Sequence, residues 1–225
     1  MIRLLFILIF AVILLGCKNH KEIGSGTIEY KITYVQTAKR GFDPALLPKK
    51  MILEFTPDSC VHSIHGFMGS FQLSSLIEFH KKKSKTHLKV FSKNYYYEGE
   101  KNELICCFDP MDNVVFNKDT ATKTFAGLKS KRVIAKDKLS NREFDIYYTN
   151  DIYLPNANAN NPYKKIDGIL TFFQLSAGEY VMQFEAVKYS EVNSSRYKFK
   201  LPKNYKEVNR AQMTYLFNRL LSSDS

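Results

Sequence analysis

The sequence predicts a mainly β fold with minor α: an antiparallel meander of strands that ends in one C-terminal helix. Three observations lead there. Gly26 to Thr37 (GTIEYKITYVQT) alternates strictly, with Ile28, Tyr30, Ile32 and Tyr34 on one face and Thr27, Glu29, Lys31 and Thr33 on the other. That period of two marks a half-buried strand with a wet outer face. Strand-length apolar runs then recur through most of the chain, separated by Pro, Gly, Asn and Asp turn residues. Tyr205 to Leu221 departs from that period, spacing Val208, Ala211, Met213, Tyr215, Leu216, Leu220 and Leu221 as a moderately amphipathic helix.

The elements follow in order. Met51 to Thr56 (MILEFT) is a second strand, and Pro57-Asp58-Ser59 turns the chain so that Cys60 to Phe67 returns as a third. Ser70 to Phe79 fits a short helix or an irregular lid, and periodicity does not choose between them. His80 to Lys85 reads as a solvated, charged connection, with contact between the Lys81 to Lys85 run and lipid phosphate as the sharper alternative. Thr86 to Phe91, Tyr95 to Tyr97 and Glu103 to Phe108 follow as strands, then Phe125 to Lys136, Glu143 to Thr149, Ile166 to Leu175 and Tyr180 to Val192. Asn156 to Pro162 (NANANNP) is a polar loop, and Tyr197 to Pro202 a last short strand.

The start of the chain is of a different kind. Arg3 supplies one positive charge, and Leu4 to Leu15 is an unbroken apolar run. Its length suits a signal-peptide core and falls short of the ~20 residues that span a bilayer. Leu14-Leu15-Gly16-Cys17 closes it. This resembles the lipobox of bacterial lipoproteins, in which a small residue precedes a cysteine whose thiol receives a diacylglycerol before cleavage. The resemblance implies a signal peptide over residues 1–16, recognised through Leu14, Leu15 and Gly16, with lipid attached at Cys17. Residues 17–25 then form a lipidated tether, flexible at Gly24-Ser25-Gly26, and 26–225 a single β-rich domain. Acyl chains worth ~0.8 kcal/mol per buried CH₂ hold such a protein on a membrane. No Asp follows Cys17 and no acidic cluster follows it, so the expected location is the periplasmic leaflet of the outer membrane.

That location changes how composition reads. With 225 residues, 17 Phe and 14 Tyr, the chain has ample material for one core. A formal charge of +11 suggests nucleic acid in a cytosolic protein. Export removes nucleic acid from the partners and turns the charge toward anionic lipid, lipopolysaccharide phosphates or acidic glycans. Of four cysteines, Cys17 belongs to the lipid. Cys60, Cys106 and Cys107 remain, an odd number in an oxidising compartment. Either Cys60 bridges to Cys106 or Cys107, or all three stay as small buried hydrophobes; a bridge between the neighbours 106 and 107 strains the backbone.

FAGLKSKRVI, FDIYYTNDI, NPYKKIDGILTFFQ, MQFEAVKYSEV and FKLPKNYKEV together resemble small lipoproteins of Bacteroidetes-type bacteria that adopt a LolA/LolB-like half barrel. The resemblance covers roughly Gly26 to Val208, most closely the second half. It implies a curved antiparallel sheet, a half β-barrel, wrapped around a helix or lid, with an apolar cavity that accepts acyl chains in better-known relatives. Ser130 departs from it, standing where many relatives have cysteine. The family has no established activity, so the resemblance implies architecture more than function. Tyr95-Tyr96-Tyr97, Tyr147-Tyr148 and Phe172-Phe173 suit either the lining of such a pocket or a packed core.

Chemistry-bearing residues are sparse. His62 and His65 are three apart on a strand and so face opposite ways, which makes them poor joint metal ligands. His65 to Ser70 (HGFMGS) is glycine-rich, but no G-x-S-x-G elbow accompanies it. Asp109 and Asp112 flank Pro110-Met111 as turn residues. Asp119-Thr120-Ala121 resembles the short O-glycosylation motif of Bacteroidetes-type exported proteins, which makes Thr120 a candidate acceptor. No constellation joins a nucleophile, a base and an orienting group. The expected function is therefore non-enzymatic, without metal or cofactor. It is either binding of a hydrophobic, lipid-like ligand or docking on another envelope protein.

Overall fold

The structure is a computed structural model that describes residues 25–39, 45–138, 141–192, 199 and 201–221. Twelve strands form one sheet: β1 (Gly26–Gln36), β2 (Lys50–Thr56), β3 (Ser59–His65), β4 (Phe71–Glu78), β5 (Lys83–Val90), β6 (Lys93–Glu98), β7 (Val114–Phe125), β8 (Leu128–Asp137), β9 (Glu143–Thr149), β10 (Ile169–Ala177), β11 (Tyr180–Glu191) and β12 (Lys206–Glu207). Their order is β12-β6-β5-β4-β3-β2-β1-β11-β10-β9-β8-β7. Two antiparallel meanders, β1 to β6 and β7 to β11, join where β1 pairs with β11, and only β12 runs parallel, to β6. The sheet curves into a half barrel and does not close.

Register turns sequence alternation into one continuous inner wall. Tyr30 lies opposite Met51, then Ile64, Leu73, Leu88 and Tyr95 across successive strands. In the other direction Ile32 lies opposite Phe184, which faces and stacks on Phe173 at 5.0 Å between ring centroids. A one-residue slip anywhere in this ladder would turn the whole apolar set to water, so burial fixes the pairing.

Helix α1 (Arg210–Leu221) covers one end of the concave face. Asn209 caps it: its Oδ1 accepts from the Gln212 N–H at 2.9 Å, while Gln212 Oε1 accepts from the Asn209 N–H at 3.1 Å. This reciprocal capping box satisfies two donors at the helix start. Met213, Phe217 and Leu221, four apart, are its buried stripe. Phe217 meets Phe71 and Phe108 edge to face, at 6.3 and 6.1 Å.

Several sequence expectations are corrected here. Ser70 to Phe79 contains neither helix nor lid but strand β4, whose Phe71, Leu73 and Ile77 face the core. Glu103 to Phe108 is irregular rather than a strand, with Ile105, Cys106 and Cys107 buried. Val114–Phe125 is a strand that alternation did not reveal, because as an edge strand it keeps few buried positions. The expected Phe125 to Lys136 strand is interrupted at its start. Ala126 and Gly127, at φ 50° and 82°, form a two-residue turn between β7 and β8, the left-handed pair a tight hairpin requires. Lys83 to Lys85 begin β5, and Lys81 and Lys85 both bond Glu78, at 2.8 and 3.1 Å. Most of the 197–202 stretch lies outside the described residues, and residues 199, 201 and 202 are irregular.

The Asn156 to Pro162 loop is polar, and Asn156 is exposed, yet its other asparagines turn inward. Asn158, Asn160 and Asn161 are all buried. Asn158 Nδ2 donates to the Ile166 and Gly168 carbonyls, both at 2.8 Å. Asn160 Nδ2 donates to Lys82 O at 2.9 Å and Glu103 O at 2.6 Å, joining three separate segments. Lys82 O keeps a second donor, the Asn102 N–H, so Asn160→Ala orphans chiefly Glu103 O. The expected cost is about 1–3 kcal/mol of unfolding free energy, read from urea midpoints. A loss below about 0.5 kcal/mol, no more than an ordinary surface change, would show that Asn160 does not tie these segments.

Candidate functional site

Between the concave face and the 150–168 connection lies an apolar cavity of ≈ 50 Å³. Tyr30, Leu53, Leu73 and Phe173 wall it on the sheet side, Leu154 and Tyr163 on the other. Tyr30 spends its hydroxyl on the Leu170 carbonyl at 2.7 Å, and the Tyr163 hydroxyl donates to Gln174 O. Both rings therefore present carbon to the void. No charged side chain lines it.

Four polar residues interrupt this apolar lining, His62, Ser75, Asn158 and Asn161, and His62 is the titratable ring among them. It sits on β3 with its Nδ1 buried and without a hydrogen-bond partner. The residue as a whole is half-buried. Burial pushes its pKa down to about 4, because the charged imidazolium loses hydration there. Cys60, two residues earlier on β3, shares the wall. Burial pushes the Cys60 thiol up, so thiol and imidazole are both neutral. That is the reverse of the ion pair that activates a cysteine nucleophile. The arrangement offers a mainly apolar volume with a neutral imidazole and the uncharged polar groups of Ser75, Asn158 and Asn161 in its wall.

The other sequence candidates fall elsewhere. Leu14, Leu15, Gly16 and Cys17 lie outside the described residues. Cys60, Cys106 and Cys107 are free thiols, and the last two sit together beneath α1, with Cys106 Sγ 3.5 Å from Thr214 Oγ1. Thr120 is exposed on β7 within a bulge, where three residues, 119–121, oppose Arg132 alone. Asp119 builds that bulge: its carboxylate accepts from the Thr120 and Ala121 N–H groups and pairs with the Arg132 guanidinium. The Ala121 N–H bond first, then Arg132, holds the Asp119 carboxyl below its ordinary range. His65 is exposed at the end of β3, away from His62.

One feature escaped sequence reasoning. The β3–β4 and β5–β6 turns lie side by side, with the Phe91 N–H donating to Ser70 O at 3.1 Å. At their tips Phe67 is 51% exposed, Met68 90% and Phe91 73%. Met68 and Phe91 also hold left-handed backbone, at φ 49° and 49°, which side-chain-bearing residues avoid. Apolar exposure and left-handed backbone coincide at these tips; the backbone costs stability, and exposed apolar side chains in a group mark interaction sites. A signal did exist in the sequence: HGFMGS and VFSK are turn segments with bulky apolar residues at their centres.

No family model matches the chain, and no curated protein matches it. Among solved structures, that of PNGF-II in the C2 space group superimposes with a TM-score of 0.53 at 9% identity, over 87% of this chain and 33% of its own. The chain thus spans about a third of PNGF-II. At that identity the likeness is one of fold alone.

His62 also sets a pH dependence. Its folded pKa of about 4 lies below the ordinary 6.5, so below pH 6.5 the unfolded chain binds a proton that the folded one refuses. The contribution is full above about pH 6.5 and falls as pH drops toward 4, by roughly 3 kcal/mol in all. His65 and His87 shift in the same direction, each through burial first. His62→Leu is expected to lose markedly less stability than the parent between pH 7 and pH 4.5 in urea titrations. Equal losses in the two proteins would remove the assignment.

Proposed function

We propose that the chain is a membrane-anchored, non-enzymatic lipoprotein of the bacterial envelope whose half barrel holds a hydrophobic, lipid-like ligand beneath the 150–168 connection. The supporting observation is the cavity: an uncharged, apolar space roofed by a loop. The apolar run ending at Cys17 and the +11 charge support the anchor and its setting. Cavity size limits the ligand. Pockets for drug-sized molecules run to roughly 300–1,000 Å³, so ≈ 50 Å³ takes a short apolar segment. A complete acyl chain requires the 150–168 connection to swing aside.

Ala157 lines the cavity from the loop side, and Ala157→Phe would fill it. Native mass spectrometry of the chain lacking residues 1–17, titrated with fatty acids of increasing length, is expected to show at least tenfold weaker binding for this variant. Equal affinity, or no binding by the parent, would refute ligand binding at this site.

The exposed turn tips favour a second reading, an accessory lipoprotein that docks on another envelope protein. Phe67, Met68 and Phe91 together present the kind of apolar patch that marks interaction surfaces. Met68→Asp with Phe91→Asp is expected to leave the melting temperature within about 2 °C of the parent, since exposed sites usually change stability by no more than ±0.5 kcal/mol. The same pair should abolish any stoichiometric crosslinked partner in whole envelopes. A partner that survives the double variant would place docking elsewhere.

A further inference from the structure

We infer that Cys106 and Cys107 form a reversible redox pair that closes to a vicinal disulfide beneath α1. The inference rests on the envelope reading, because an oxidising compartment is where thiols meet such chemistry.

Consecutive residues in extended chain point their side chains to opposite sides. Here Cys107 takes φ 78°, left-handed for a residue with a side chain, and the two sulfurs stand 3.1 Å apart. Both residues are buried. Cys60 lies on β3 in the cavity wall, whereas the contacts of Cys106 and Cys107 are with each other and with α1, through Arg210 O, Met213 O and Thr214 Oγ1. Geometry therefore pairs the neighbours rather than either one with Cys60.

The oxidant is a disulfide of the thiol-oxidoreductase class or of glutathione. Cys106 attacks first, as its thiolate, forming a mixed disulfide and expelling one oxidant thiolate. The Cys107 sulfur, having given up its proton, then displaces the second oxidant sulfur and closes the Cys106–Cys107 bond. Two thiols lose two protons and two electrons, and the oxidant disulfide becomes two thiols. The order follows from the environment: the hydrogen bond from the Cys107 thiol, then that from Thr214, holds Cys106 below the ordinary thiol range, while burial pushes Cys107 up. Because α1 shields both sulfurs, exchange needs its first turn to lift. A bond between neighbours is strained and hence easily reduced, which suits a reversible pair better than a permanent staple.

Position makes the pair consequential. Ile105 and Phe108 flank it and line the cavity. Arg210, in the first turn of α1, bonds Glu103 Oε1 at 2.9 Å and Leu104 O at 2.6 Å. The redox state of the pair thus sets both the seat of α1 and one wall of the candidate ligand site.

The test uses the full lipoprotein, purified in detergent and equilibrated with oxidised or reduced glutathione. Thiols are then alkylated in denaturant and the 102–118 tryptic peptide is weighed. The expected result after oxidised glutathione is a peptide two hydrogens lighter than the dithiol and free of alkyl groups. It should become doubly alkylated after reduction, with Cys60 alkylated throughout. A 102–118 peptide that stays doubly alkylated, carries two glutathiones, or is crosslinked to Cys60 would overturn the inference. The same peptide from freshly trapped cells, beside the mass of the Cys17 peptide, separates the two readings. Absence of lipid at Cys17 counts against the anchor alone, and closure in glutathione still decides the pair.

Discussion

An open, curved sheet has an unavoidable difficulty: its concave face is apolar and has no partner sheet. Irregular chain covers it here, and irregular chain brings backbone N–H and C=O groups that must be paired once buried. Asn158, Asn160 and Asn161 meet that requirement. Their side-chain amides reach the carbonyls of residues 82, 103, 166 and 168, while Asn161 donates to Asn158 and accepts from the Tyr163 N–H. The Asn160 carbonyl in turn accepts from the Ile105 N–H at 2.7 Å. The loop over the sheet, the segment leading to Cys106 and the β4–β5 turn are thereby one hydrogen-bonded body, and α1 rests on it through Arg210.

Charge does little of this structural work. Glu29 meets Lys50 at 2.5 Å and Lys188 at 3.9 Å, and Lys83 meets Glu98 at 3.4 Å, all with partly exposed side chains. Pairs of this kind contribute roughly 0–1 kcal/mol. The excess of cations is therefore a property of the surface rather than a support for the fold. Arg132 stands apart, since Asp119 and Asp145 hold it from two strands and fix the bulge that carries Thr120. That bulge blunts edge strand β7, a place where unpaired backbone would otherwise invite another strand.

What was legible in the sequence follows from where burial is one-sided. β1, β2, β9 and β11 bury one face each, and alternation found them. β4 was less clear because Ser75 occupies an inward position opposite His62, breaking the apolar period. β7 was illegible for the opposite reason, its exposure. The NANANNP loop reads as polar in any single-sequence reasoning, since side-chain amides are mostly exposed. Its burial depends on carbonyls from residues far apart in the chain, which no local pattern announces. The sequence leaves a cavity and a packed core equally open, and nothing in it assigns His62 or the 150–168 connection to a cavity wall.

The roof of the cavity and the lock on the loop are the same segment: Leu154, Ala157 and Tyr163 line the void, while Asn160 between them holds the 82 and 103 carbonyls. Any ligand larger than the closed cavity must break those bonds before it enters, and its apparent affinity is reduced by the fraction of molecules already open. The Cys106–Cys107 segment lies on the other side of the same lock, joined to it at Glu103 and Ile105. Two hydrogen bonds, Asn160 Nδ2 to Glu103 O and the Ile105 N–H to Asn160 O, connect that segment to the roof. The sheet wall is held by a continuous ladder of strand pairing, whereas the opposite wall is held by these few side-chain bonds, so the two walls differ in what it takes to move them.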